Sequence, residues 1–460
     1  MNIVARLGRG FLRANVQALD STVRSLPHLA NLLPVLPTTT LPETNRPVPL
    51  RTDDSEASCS NRETESLHKS SVEDLTWGVR QSEYGGRHRG QYSPETTRWM
   101  SSVPVSVDET EGSGQVERFQ TEAVDPFSLV ADELAQLGAK MRDMVATEVP
   151  KLAQAAEYFF RMGAEGKRFR PTVLLLMATA VSTSIPGSTL AAEAQSIRDR
   201  QRRIAEITEM IHVASLLHDD VLDSSDTRRG ISSLNFLMGN KLAVLAGDFL
   251  LARASVALAS LRNVEVIELL SRVLEHLVSG EIMQMTGEPE ARCSFDYYIK
   301  KTYNKTASLI ANSCKSVAIL GGQPPDVAGL AYDYGRHLGL AFQIVDDLLD
   351  FVGTSLVLGK PALADLNQGI ATAPVLFAAE EFPMMEDLIK RKFARSGDVE
   401  QALQWVQQSK GLERARELAA YHASQAVLAI ERLPPPESQG AAQSRRALVD
   451  LTQRVLTRKK

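Results

Sequence analysis

Leu217-His218-Asp219-Asp220-Val221-Leu222-Asp223 sets three carboxylates into an apolar helical pattern, and Gln343-Ile344-Val345-Asp346-Asp347-Leu348-Leu349-Asp350 does so again. Each stretch reads Asp-Asp-x-x-Asp. Residues four apart share a helix face, so Asp219 with Asp223, and Asp346 with Asp350, are predicted to project together. Like charges that close raise each other's pKa unless a cation compensates them. Carboxylates in apolar surroundings are costly unless paired or metal-bound. Oxygen-only ligands on rigid elements suit a hard cation that keeps several waters and bridges to phosphates, which describes Mg2+. A lone acidic triplet is commonly a solvated face or a cap. Two copies with one spacing argue instead for a diphosphate gripped from both sides through metal ions.

Helical periodicity extends outward from these stretches, beginning near Val124 and running almost to Lys460. Glycine and proline gather at punctuation points such as Gly287 to Pro289, Gly321 to Pro325 and Pro434 to Pro436, and no alternating strand runs recur. Residues 124–460 are therefore predicted to form one all-α domain, a helical bundle around a central cavity. Residues 37–123 are rich in Ser, Thr, Pro, Glu and Arg and are predicted to be a disordered linker, since they hold too little apolar area to offset ordering entropy. Residues 1–36 begin with an amphipathic stretch that carries Arg6, Arg9 and Arg13 and no acid before Asp20. That is the pattern of an organelle transit peptide, and arginine in place of lysine leans it towards mitochondria over plastids.

Composition removes several function classes. A net charge of −5 gives no support for a general nucleic-acid role. Cys59, Cys293 and Cys314 are odd in number and lack metal spacing, which fits a reducing compartment and neither a disulfide framework nor a zinc site. No apolar run approaches the roughly 20 residues that cross a bilayer, so membrane contact is expected to be peripheral at most.

Cations accompany the carboxylates. Gly166-Lys167-Arg168-Phe169-Arg170-Pro171 places three of them at the start of an apolar helix, a junction suited to anions. Arg228-Arg229-Gly230 follows the first motif, and two adjacent guanidiniums can hold separate phosphate groups. His212 lies two helical turns before Asp219, on the same face. Two acidic walls and two basic patches imply two phosphate substrates, one ionised with metal help and one held intact.

These motifs, with Gly247-Asp248, Lys305-Thr306, Phe342-Gln343 and Gly359-Lys360-Pro361 in order, resemble the trans-polyprenyl diphosphate synthases. More narrowly, Asp125 to Asp132, Ile207 to His212 and Ser444 to Asp450 are similar to the plant mitochondrial solanesyl diphosphate synthases. The resemblance implies an isoprenoid-synthase-type fold and repeated condensation of isopentenyl diphosphate onto an allylic diphosphate, farnesyl or geranylgeranyl. The product would be a long all-trans chain, solanesyl (C45), for a ubiquinone side chain. It implies that Asp219 and Asp223 carry Mg2+ with Asp220 supporting, and that Asp346, with Asp347 and Asp350, completes the metal cluster. Lys167, Arg170, His212 and Arg229 would hold isopentenyl diphosphate. Arg228, Lys305, Thr306, Gln343 and Lys360 would hold the allylic diphosphate.

In that family the position five residues before the first Asp limits chain length, and here it is Ala214, roughly 7–8 Å along the helix axis. A small residue there implies an open floor and a long product, or else merely close helix packing. A homodimer is expected because so large a bundle exposes broad helix faces. Two other readings stay open: a regulatory subunit of a heteromeric prenyl synthase, and a class I terpene cyclase. Two complete Asp triplets and the basic isopentenyl patch disfavour both.

Overall fold

The computed structural model describes residues 125–155, 158, 168–182, 191–228, 230–352 and 363–458. The expected transit peptide and linker fall outside them, as do Lys167, Arg229 and Lys360. The longer helices are α1 Ala131–Val145, α2 Phe169–Ala180, α3 Ala191–Leu222, α4 Asn240–Ser260, α5 Val264–Thr286 and α6 Phe295–Thr302. They continue with α7 Ser308–Leu320, α8 Pro325–Val352, α9 Ala373–Glu381, α10 Asp398–Gln408, α11 Gly411–Glu431 and α12 Gln439–Thr457. The all-α expectation holds apart from a two-residue antiparallel ribbon, β1 Thr227–Arg228 with β2 Ile231–Ser232. It turns at Gly230, whose φ of 80° is a conformation that glycine adopts without strain.

Local chemistry starts the helices where the sequence allows. Asp125 accepts from the backbone and hydroxyl of Ser128, ordering the turn that leads into α1. Asn263, Ser294 and Ser438 each accept a backbone N–H in the first turn of α5, α6 and α12. Such caps contribute about 1 kcal/mol apiece. Pro171 sits in the first turn of α2, where no backbone donor is needed. The rest of α2 is buried on nearly every side, making it a core helix.

The bundle is organised around α8, which packs against α7 and α11. Gly335 and Gly339 make the first of these contacts intimate. A Cβ on Gly335 would lie 2.7 Å from Ala311 Cα, and one on Gly339 would lie 2.6 Å from Ala307 Cα. The backbones therefore nearly touch one turn before the second Asp stretch. Buried polar side chains fix the register of the layers. Gln201 of α3 donates to the Val317 carbonyl at 3.0 Å, and Tyr334 of α8 donates to the Leu448 carbonyl at 3.0 Å.

One expectation needs correcting. Helix α4 has 21 residues and a mean hydropathy of 1.8 over its most apolar stretch, so by length and composition one helix among the described residues is long and apolar enough to span a bilayer. The sequence conceals this because Asp248 and Arg253 interrupt every apolar run. Its small residues Ala243, Ala246, Gly247 and Ala254 are buried, and Gly247 admits the His218 ring of α3, which a Cβ would meet at 2.2 Å. Packing against a partner helix through small residues is bundle behaviour, and weak support for a span.

Candidate active site

The first Asp stretch ends α3. The Asp223 amide still bonds the Asp219 carbonyl at 2.8 Å, and Ser224 then turns to a φ of 50° and stops the helix. Asp219 and Asp223 consequently share a face, as the spacing predicts. Asp220 points the other way, is 1% exposed, and takes both Nε and Nη2 of Arg228 on Oδ1, at 2.7 and 2.6 Å. The ribbon after α3 thus fastens Arg228 to the first motif.

Lys305 faces this motif from a π turn, Tyr303–Ala307, between α6 and α7. It ion-pairs with Glu281 of α5. Gly280 makes the approach feasible, since a Cβ there would meet Lys305 Cγ at 2.7 Å. Burial pushes the Asp219 carboxyl up to about 6, Glu281 and Asp223 push the same way, and Lys305 and Arg228 oppose them. Asp223 is raised by burial in the same field. Both carboxyls are thus held up chiefly by burial, with Glu281 adding to the shift and Lys305 and Arg228 opposing it.

Thr306, the neighbour of Lys305, faces the second motif. Its hydroxyl donates to Gln343 Oε1 at 2.8 Å, and Gln343 Nε2 donates to Asp347 Oδ1 at 2.9 Å. Asp347 is 3% exposed and also accepts from the Tyr298 hydroxyl at 2.6 Å. Asp350 is fully buried and accepts the backbone N–H groups of Ala364 and Asp365, at 3.1 and 3.0 Å. The expectation that Asp346 and Asp350 project together is not met here. Asp350 turns to the chain that follows α8, whereas the Asp346 side chain is 41% exposed and pairs with Arg458 at 2.7 Å.

On the other side, Arg170 Nη1 donates to His212 Nε2 at 3.0 Å, bringing two of the predicted isopentenyl ligands together. Phe169 packs on Phe342 with ring centroids 5.4 Å apart, linking that patch to the second motif. Arg168 serves the fold instead, donating to the Leu134 carbonyl. Ala214 is fully buried on α3, alongside Met210 and Ile211.

Among the described residues, no three His, Cys, Asp or Glu side chains converge into a complete cation cage. The donor set nevertheless fits Mg2+, which binds through one or two carboxylates and completes its shell with water and substrate phosphate. Asp219 and Asp223 share one face at the end of α3, and added positive charge there would offset the burial that raises both carboxyls.

Four residues escaped the sequence reading: Glu281, Tyr298, Lys301 and Arg458. A glycine inside the apolar run Leu277 to Met285 was the available signal for Glu281, and helical spacing from Lys305 the signal for Tyr298 and Lys301. Arg458 carried none, because the Phe342 carbonyl it bonds is 116 residues away in sequence.

The chain resembles known proteins over most of its length. The polyprenyl synthetase family profile matches residues 149–406. A protein of Oryza sativa subsp. japonica, solanesyl-diphosphate synthase 1, mitochondrial, is 58% identical over 369 residues, covering 79% of this chain and 85% of its own. Solanesyl diphosphate synthase 3, chloroplastic/mitochondrial, of Arabidopsis thaliana is 58% identical over 343 residues, 74% of this chain and 81% of its own. Among solved structures, the apo form of an Arabidopsis medium/long-chain length prenyl pyrophosphate synthase superposes with a TM-score of 0.61 at 52% identity, covering 73% of this chain and all of that one.

Proposed function

The chain belongs to the polyprenyl synthetase family, and from that premise we propose the reaction and the residue roles that follow. It is a trans-prenyltransferase that builds long-chain trans-prenyl diphosphates by adding isopentenyl diphosphate repeatedly to an allylic diphosphate. The product is solanesyl diphosphate (C45), feeding a ubiquinone side chain, and the primer is farnesyl or geranylgeranyl diphosphate. A mitochondrial address is supported by the arginine-bearing start of the sequence and by the printed location of the rice relative.

One observation carries this reading: adjacent residues of a π turn serve opposite acidic walls, Lys305 the first motif and Thr306 the second. A single turn thereby joins the two halves of a diphosphate cradle, and such bulges recur at functional sites. Asp219, Asp223 and Asp346 would hold Mg2+, which when bound neutralises the charge that grows on the leaving diphosphate. Lys305, Gln343 and Arg228, with Lys360, bind that diphosphate directly, whereas Thr306, expected to do the same, gives its one proton to Gln343 Oε1. Arg170 and His212, with Lys167 and Arg229, hold isopentenyl diphosphate intact. Because Arg170 donates to it, His212 Nε2 carries no proton and orients the guanidinium. The isopentenyl double bond attacks the allylic carbon as its C–O bond breaks, and the departed diphosphate accepts the proton then lost. Apolar helices around the polar cradle keep out water that would quench the cation.

A homodimer is supported by apolar side chains left exposed on two consecutive helices. They include Leu245 (58%) and Val256 (67%) on α4, and Val264 (80%) and Val278 (64%) on α5. A patch of this kind is characteristic of an interface.

The test is a product assay on the full chain with labelled isopentenyl diphosphate, farnesyl or geranylgeranyl diphosphate and Mg2+, with and without chelator. Long all-trans products that vanish with chelator are expected. Elongation that requires an added partner chain would favour a heteromeric subunit instead, and cyclic hydrocarbon products would favour a cyclase.

A further inference from the structure

Helix α6 contributes nothing to the reaction as written above, yet it is bonded to the site through a string of buried polar groups. The Tyr298 hydroxyl, on a residue 2% exposed, donates to Asp347 Oδ2 at 2.6 Å. Asp347 Oδ1 accepts from Gln343 Nε2 at 2.9 Å, and Gln343 Oε1 accepts from Thr306 Oγ1 at 2.8 Å. A carboxylate only accepts, so Gln343 must turn its NH2 towards Asp347. Its carbonyl oxygen then faces Thr306, whose single proton is committed to it. The direction of every bond follows from the donors that meet the two Asp347 oxygens. Asp347 uses one Nε2 hydrogen of Gln343, so the second remains a donor, while the amide oxygen faces Thr306.

Asp347 therefore differs from its neighbour Asp346. Both of its oxygens are engaged and it is buried, so it works as the hub of this string while Asp346 keeps the exposed position. Burial pushes the Asp347 carboxyl up, and the bonds from Tyr298 and Gln343, with the charge of Lys301 one helical turn from both Tyr298 and Lys305, oppose that shift.

We propose that Tyr298 is a positioning residue for the allylic-diphosphate half of the site, acting through Asp347 to hold the Gln343 amide with its N–H, not its C=O, towards the substrate. This rests on the assignment of Gln343 to the allylic diphosphate. Without the tyrosine hydroxyl, one oxygen of a buried carboxylate loses its donor. Asp347 then re-orients, the amide is released to flip, and a carbonyl oxygen can oppose the diphosphate. Isopentenyl diphosphate, held by Arg170 and His212 on other elements, is not touched by the change.

The test compares Tyr298→Phe, Gln343→Ala and the double variant in the full-length enzyme, with farnesyl diphosphate, isopentenyl diphosphate and saturating Mg2+. In Tyr298→Phe the KM for farnesyl diphosphate is expected to rise about tenfold, the loss of one hydrogen bond to a charged group. The KM for isopentenyl diphosphate stays within about twofold, and the double variant is no worse than Gln343→Ala alone, because both act on one amide. An unchanged farnesyl KM, an equal rise for both substrates, or additive effects would overturn the proposal. If Tyr298→Phe does not fold, Lys301→Met against Lys301→Arg supplies the same comparison. Methionine should raise the farnesyl KM selectively and arginine should not, and equal behaviour of the two would count against the hub. A wild-type chain that fails to elongate farnesyl diphosphate would instead refute the underlying function, so the two failures are distinguishable.

Discussion

Arg458 Nη2 lies 2.7 Å from Asp346 Oδ1, while the same guanidinium covers the Phe342 ring at 3.8 Å and donates to the Phe342 carbonyl. The end of the chain thus reaches the acid that the motif assigns to metal. In Arg458→Ala, Mg2+ no longer competes with a guanidinium for Asp346. Half-maximal activity is expected at about two- to fivefold lower Mg2+, the worth of a partly exposed ion pair. A Mg2+ titration that gives an unchanged requirement would detach Asp346 from metal binding.

Arg228 and Asp220 form a buried pair with different energetics. Arg228→Met leaves the 1%-exposed Asp220 carboxylate without its counter-ion and is expected to cost about 3–5 kcal/mol of stability. Adding Asp220→Asn should recover a large part of that loss. Urea denaturation of the three proteins measures both effects, and a single variant as stable as the wild type would show the pair to be inessential to the fold.

Ala214→Tyr is expected to shorten the product sharply while preserving turnover of short primers. Its side chain would enter a fully buried position roughly 7–8 Å along α3 from Asp219. Mass spectrometry of the products decides. A full-length product from a folded variant would reduce Ala214 to a helix-packing residue.

His337 and His422 bond through their Nδ1 atoms at 2.9 Å between α8 and α11. Burial, helped by Arg336, holds His337 down at about 4, and burial also lowers His422. The unfolded chain takes up a proton near pH 6.5 that folded His337 refuses until about pH 4. The stability concerned is therefore complete above pH 6.5 and is lost as pH falls towards 4, by up to about 3 kcal/mol for His337. Chemical denaturation across that range should show the slope. His337→Gln should flatten it, and an unaltered slope would place its origin elsewhere.

Leu245→Asp combined with Val278→Asp puts charge on the exposed faces of α4 and α5 and is expected to yield monomers by analytical ultracentrifugation. A dimer that survives both changes would need another interface.

The helical class and the pairing of Asp219 with Asp223 were legible in the sequence, because each depends on local periodicity. A helix repeats every 3.6 residues wherever it sits, so apolar spacing and a four-residue carboxylate interval are enough. The same logic misled at Asp350, whose buried carboxylate bonds the backbone of Ala364 and Asp365 across an intervening segment. It also missed the composite hydropathy of α4, where charges break the runs but not the mean.

Sequence alone thus determined the acidic and basic motifs, but not the part that Glu281, Tyr298, Lys301 and Arg458 play beside them. Tertiary structure decided which of them meet, and so what each can do. Glu281 meets Lys305 because Gly280 lets two helices close, and Tyr298 meets Asp347 because α6 lies along α8. Arg458 meets Asp346 because α12 returns the end of the chain to the mouth of the site. Spacing in a chain encodes neighbours within a turn or two. Hydrogen bonds and ion pairs between distant elements form only where packing removes the space between them, and that depends on side-chain volume throughout the core.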